Sequence, residues 1–216
     1  MLLRWKIAQW FELQWWKRYL SGKSKEEYIA WKTNYWLELM RTLELERTIE
    51  EANTIIDFGC GPFGLQLANR HWQKRLTAVD PLLDEYAATI PFFNKKDYPE
   101  TQFVTQSIER FSSPTAFDMV FCMNAINHVH AMDKAFDVVV GSAQQNSNIV
   151  VSIDAHNFSF FKYLFRLIPG DILHPHQYNL KEYSSFLESR NCKIEQVVCI
   201  KQEFFFDHYV LVARKL

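Results

Sequence analysis

The chain has 216 residues, 48% of them apolar, which suffices for one α/β domain with its own core and argues against two comfortable domains. Its 24 Lys and Arg against 25 Asp and Glu leave a formal net charge of −1, a balance that argues against a nucleic-acid partner, which needs clustered positive charge. No stretch approaches about eighteen uncharged apolar residues, so no integral membrane span is expected, and the charged opening Met1-Leu2-Leu3-Arg4-Trp5-Lys6 does not read as a signal peptide.

Residues 3–21 lack Pro and Gly. They carry Leu3, Ile7, Trp10 and Phe11 on one helical stripe and Trp5, Ala8, Trp15, Trp16 and Tyr19 on another, which predicts a first helix ended by Gly22. Residues 1–32 hold Arg4, Lys6, Lys17, Arg18, Lys23, Lys25 and Lys32 against Glu12, Glu26 and Glu27. Such a basic, aromatic segment could touch an anionic surface, or simply present a solvated face. Ser24-Lys25-Glu26-Glu27 reads as a capping box, in which the Ser hydroxyl and the third-position Glu each satisfy a backbone donor. The second helix is predicted over 25–47, with Tyr28, Trp31, Tyr35, Trp36, Leu39 and Leu43 on its apolar face. Residues 1–50 are therefore read as an N-terminal helical lid or extension, and 51–216 as the main domain.

From residue 52 the pattern changes. A strand is predicted at 54–58, a helix from Leu65, a strand at 76–79, a helix at 82–88, strands at 101–104 and 118–122, a helix at 131–142 and a strand at 148–153. This alternation predicts right-handed βαβ units and a parallel sheet. A helix at 180–190 precedes two strands, 193–200 and 204–213, which should pair antiparallel at one edge. Cys60, Cys122, Cys192 and Cys199 show no C-x-x-C spacing, so neither a zinc site nor a disulfide framework is indicated; reduced thiols in a cytoplasmic protein are the expectation.

The first chemical signal is Gly59-Cys60-Gly61-Pro62-Phe63-Gly64, a G-x-G-x-x-G turn between a strand and a helix, where glycines let the backbone approach a ligand. Nicotinamide and flavin proteins share that turn. Asp57, two positions earlier, would repel a pyrophosphate but suits a cationic ligand with a free amino group. Asp80, in Ala78-Val79-Asp80-Pro81 at the end of the second strand, can accept hydrogen bonds from both ribose hydroxyls of an adenosine ligand.

These residues resemble the class I, Rossmann-like S-adenosylmethionine-dependent methyltransferases. Ile55-Ile56-Asp57-Phe58-Gly59-Cys60-Gly61 looks like the first motif and Asp80 like the ribose-binding acid. Gln106-Ser107-Ile108-Glu109-Arg110-Phe111 stands where the family often has Gly-Asp-Ala-Glu-x-Leu, with Ser107 in place of the Asp that contacts the adenine amino group. Residues 117–129 resemble the fourth-strand motif, whose following residues line the methyl-donor site. The resemblance implies an α/β fold with a seven-stranded, mostly parallel, doubly wound sheet of order 3-2-1-4-5-7-6, strand 7 antiparallel. It implies S-adenosylmethionine as cofactor, held by Asp57, Gly59, Cys60, Gly61, Asp80, Pro81, Ser107, Ile108 and Asn124. Asn124-Ala125-Ile126-Asn127 lacks the Asn-Pro-Pro-Tyr of nucleobase amino-methylating relatives, so a small-molecule acceptor is expected and nucleic acid is not.

His128 and His130 follow the fourth strand, His156 the fifth, and His174-Pro175-His176 precedes the last helix. No Cys joins them and no pair stands four apart on a clear helix, so no metal site is expected. His128, beside the methyl-donor motif, is the first candidate for a general base toward a hydroxyl acceptor, with His174 and His176 next; each could instead only shape its loop. The aromatic run 157–168 and the N-terminal helices could close over the acceptor and keep water out. A methyltransferase-like protein that binds or assembles without catalysis, or a homodimer through the N-terminal helices, is the other reading these features allow.

Overall fold

The computed structural model describes the backbone of residues 2–157 and 178–216, and side chains from Trp5 onward. Most of the aromatic run 157–168, and both His174 and His176, lie outside the described residues.

Helix α1 spans Leu2–Leu20, and Gly22 turns the chain at φ 80°. Ser24 then caps α2 (Lys25–Thr42), its hydroxyl accepting the Glu27 N–H at 3.3 Å. The box is half formed: the same hydroxyl donates to the Glu26 carboxylate at 3.2 Å. The expected helix over 25–47 is broken. It stops after Thr42, Glu44 takes a left-handed φ of 55°, and a short α3 (Glu46–Glu51) follows. The break lets Leu43, Leu45 and Ile49 all bury against the sheet, which one straight helix could not do. No glycine marks the stop, so the sequence carried no stop signal there.

The sheet is built from β1 (Ile55–Phe58), β2 (Leu76–Val79), β3 (Gln102–Val104), β4 (Phe117–Cys122), β5 (Ala143–His156), β6 (Cys192–Lys201) and β7 (Phe206–Lys215). Its order is β3-β2-β1-β4-β5-β7-β6. The first five strands run parallel, and β7 is antiparallel to both β5 and β6, as expected. Leu65 does not begin a regular helix: Leu65–Leu67 is a single 3-10 turn, and Asn69 caps a four-residue α4 (Arg70–Gln73) through the His71 N–H at 2.9 Å. Helices α5 (Leu83–Thr89), α6 (Met132–Gly141) and α7 (Leu180–Glu188) complete the layers. Helix α7 carries a full capping box, Asn179 with Glu182, that the sequence reading passed over.

Alternation along the strands sorts the core onto two faces. Ile56, Phe58, Val120, Cys122, Val151 and Ile153 pack toward α6 and α7. Ile55, Met119, Phe121, Val150 and Val210 pack toward α2 and α3, where Trp36, Leu39, Met40, Leu43 and Ile49 are buried. Helix α2 is therefore part of the core layer. A third cluster, with Leu20, Tyr28, Cys60, Phe63 and Tyr86, joins α1 to the β2 side. Strand order reverses between β1 and β4, so their C-terminal ends open the crevice in which α/β sheets bind ligands.

Candidate active site

Asp57 stands near the tip of β1, on the face toward α2, and is 1% exposed. Its Oδ2 accepts the Leu65 N–H at 3.1 Å, while Oδ1 is buried with no hydrogen-bond partner among the described residues. Burial pushes the carboxyl up to about 7; the Leu65 N–H and the Lys32 charge oppose this. A buried acceptor left open next to a binding turn is costly unless a ligand donor completes it.

The turn itself is held by β2: Gly59 and Cys60 N–H groups both donate to the Val79 carbonyl, at 2.7 and 3.2 Å. Gly59 has φ 67°, and a Cβ there would lie 2.1 Å from the Ala125 Cβ. Only glycine lets the first turn pass the segment after β4 this closely. Gly61 donates its N–H to Asp80 Oδ2 at 3.0 Å, and Leu82 donates to Oδ1 at 2.8 Å. Asp80 is thereby fixed at the tip of β2, pushed up to about 8 by burial and by the Glu12 carboxylate against the pull of those two N–H groups.

Beyond these tips lies a crevice, placed where open α/β sheets bind ligands. Gly59, Asp80 and Pro81 form one wall, Ser107 and Ile108 a second, and Asn124, Ala125 and His128 a third. Helix α1 roofs it with Trp5, Ala8, Gln9 and Glu12. The roof is pinned at two points: Tyr86 donates its hydroxyl to Glu12 Oε1 at 2.7 Å, and the Trp16 indole packs on Phe63 with centroids 5.5 Å apart, close above Gly61.

Of the nine residues expected around the cofactor, six line the crevice: Gly59, Asp80, Pro81, Ser107, Ile108 and Asn124. Asp57 lies behind the turn, and the Cys60 side chain faces the third core cluster instead, where burial drives its thiol pKa far up. Asn124 holds a left-handed φ of 52° and is tied to β5: its N–H donates to Ser152 Oγ at 2.6 Å, and that hydroxyl donates to Asn124 Oδ1 at 3.0 Å. Glu109 links two walls, its carboxylate accepting the His130 and Ala131 N–H groups at 2.7 and 3.2 Å. His128 closes a 3-10 turn, half-buried on the crevice wall. His156 ends β5 with its N–H on the Tyr178 carbonyl at 3.0 Å. No group of acidic, His or Cys side chains among the described residues could hold a metal ion.

Three features escaped the sequence reading. Glu12 faces Asp80, because α1 folds back over β2. Lys32 on α2 is drawn toward Asp57 and stacks over the Tyr35 and Trp36 rings at 4.2 and 4.9 Å; burial lowers it to about 8, with Asp57 opposing. Asp154 and His208, one on each of the paired strands β5 and β7, form a carboxylate–imidazole contact. The residue types gave no signal for any of the three, since each depends on which elements become neighbours.

A methyltransferase-domain family model matches residues 56–151, the span that holds the turn, Asp80 and the segment after β4. Over that span the chain carries a methyltransferase domain, and its sheet order is the one implied by the resemblance to class I S-adenosylmethionine-dependent methyltransferases. S-adenosylmethionine is the methyl donor that the resemblance implies for this domain. One curated relative, the mitochondrial ubiquinone biosynthesis O-methyltransferase of Schizosaccharomyces pombe, is 25% identical over 79% of this chain and 68% of its own length. In fold, this methyltransferase is similar to the magnesium protoporphyrin IX methyltransferase ChlM of Synechocystis PCC 6803 with bound S-adenosylmethionine, at TM-score 0.62 and 12% identity over 99% of this chain and 97% of that one. It is similar also to the N-methyltransferase NodS of Bradyrhizobium japonicum WM9 in complex with S-adenosyl-L-homocysteine, at TM-score 0.59 and 14% identity over 91% and 90%. No helix among the described residues is long and apolar enough to cross a membrane.

Proposed function

We propose that this methyltransferase acts on a small-molecule acceptor that meets the donor between the β4 segment and the α1 roof. The observation that carries the reading is the crevice between Asp80, Ile108 and His128, at the C-terminal ends of the strands and covered by a helix. The net charge of −1 supports it against nucleic acid, and so does the small-molecule pathway named for the curated relative.

The donor fits the chain's chemistry: Asp57 has an open, buried acceptor atom suited to an amino group. Lys32, beside it, suits the donor's carboxylate. Gly59, Cys60 and Gly61 offer backbone at the turn. Asp80 retains free lone pairs for ribose hydroxyls, with Pro81 beside it. Ser107 and Ile108 flank the base, and Asn124 borders the reacting end. When bound, the sulfonium supplies an electrophilic methyl group for in-line displacement. The protein's part is to orient, to exclude water under α1, and to take a proton from an acidic acceptor at His128; His174 and His176 are further candidates for that base. Four free thiols support a reducing compartment such as the cytosol.

The test uses labelled donor in a cell extract. Label entering the low-molecular-mass fraction supports the proposal; label confined to protein or nucleic acid refutes it. Calorimetry with S-adenosylhomocysteine tests the pocket separately: Asp80→Ala and Gly59→Val should each abolish measurable binding, and unchanged affinity in both would overturn the assignment.

A further inference from the structure

Helix α1 has two unlike halves. Its inward half roofs the crevice and includes Glu12, the one acidic residue of the helix. Its outward half exposes Ile7, Trp10, Phe11 and Trp15, with Trp10 at 56% and Trp15 at 50%. Lys6, Lys17 and Arg18 are exposed on the same half, since positions 6, 7, 10, 11, 14, 15, 17 and 18 fall within about half a turn of a helical wheel. The aromatic side chains are held in place by ring contacts: Trp10 meets Phe11 edge-on at 5.0 Å, and Trp15 stacks on Tyr19 at 4.7 Å.

We propose that this outward face of α1 docks on an anionic lipid surface. Exposed Trp and Phe beside Lys and Arg, with no acid on the face, are the chemistry of a helix lying in a bilayer interface, where rings enter the headgroup boundary and cations meet the lipid charge. The basic charge is local, because the whole chain carries a net −1. A second copy of the chain fits less well. Two-fold packing of this face on itself would set Lys6, Lys17 and Arg18 against their own counterparts with no acid between them. The opposite side of the same helix covers the donor crevice, so a bound surface would sit directly on the roof of the site.

The test is co-sedimentation of the full chain with phosphatidylcholine vesicles, with and without phosphatidylserine. The protein should pellet with the anionic vesicles only, its tryptophan emission should shift to the blue, and added salt should release it. Lys17→Glu with Arg18→Glu should lower partitioning by at least about thirtyfold. Trp10→Ser with Phe11→Ser should lower it independently. Both pairs should leave S-adenosylhomocysteine affinity unchanged, which separates this proposal from the reading of the donor site. Equal binding to both vesicle types, or binding that neither pair weakens, would overturn it. So would a concentration-dependent dimer in sedimentation velocity that the Trp10/Phe11 pair dissolves.

Discussion

Asp57→Asn isolates the cost of ionising a carboxyl that the fold has taken out of water. The folded pKa of about 7 lies above the ordinary 3.8. The group's contribution to stability is therefore full below about pH 4 and is lost as the pH rises through about 7. Above that, the charged form carries a penalty of about 4 kcal/mol, the free energy of moving a carboxyl from 3.8 to about 7. An amide keeps the acceptor for the Leu65 N–H and cannot ionise. It also deprives Lys32 of its neighbouring charge, which takes back part of the gain, leaving about 2–3 kcal/mol at pH 8. For a chain of this size that is roughly 5–10 °C in Tm. Urea unfolding of the ligand-free protein from pH 5 to pH 8 measures it. Asp57→Asn should be the more stable protein at pH 8, with an advantage that shrinks steadily as the pH falls. The same variant should bind S-adenosylhomocysteine far more weakly by calorimetry, so that stability and binding move in opposite directions. A stability difference independent of pH, or a variant less stable at pH 8, would refute the picture of a strained carboxylate kept for its ligand.

In the wild type, Asp57 at about 7 and Asp80 at about 8 must ionise to meet the donor, so calorimetric affinity for S-adenosylhomocysteine should rise from pH 6 to about pH 7.5, before Lys32, at about 8, gives up its charge, and a flat profile over that window would contradict this. Gly59→Ala combines a positive φ with a Cβ 2.1 Å from Ala125; it should cost about 2–4 kcal/mol in urea unfolding, and a loss below about 0.5 kcal/mol would mean the turn relaxes freely. Tyr86→Phe removes the donor to Glu12 and should cost about 1–2 kcal/mol; limited proteolysis near Gly22 should quicken as the roof loosens, and an unchanged digestion rate would show that the roof does not depend on this bond.

The alternation of strand and helix, the reversed terminal pair and the glycine turn with its two acids were all legible in the sequence. Period-2 and helical patterns report which faces are buried, and the turn's glycines and flanking carboxylates lie close along the chain. The boundaries that failed lie where tertiary burial overrode local signals. Helix α2 breaks at Glu44, a residue without a stop signal, because Leu43 and Leu45 both reach the core. The segment after Gly64 tightens into a 3-10 turn, with the Leu65 N–H on Asp57.

Residue types and spacing alone thus determined the layered α/β architecture and the two carboxylates at adjacent strand tips, because those depend on short-range pattern. Only the tertiary structure decided that Glu12 faces Asp80, that Lys32 lies near Asp57, that the Cys60 side chain turns into the core, and that Asp154 meets His208. Those pairings join elements far apart in sequence. Their geometry follows from how helices dock on the sheet and from strand register, neither of which leaves a mark on the residues that meet.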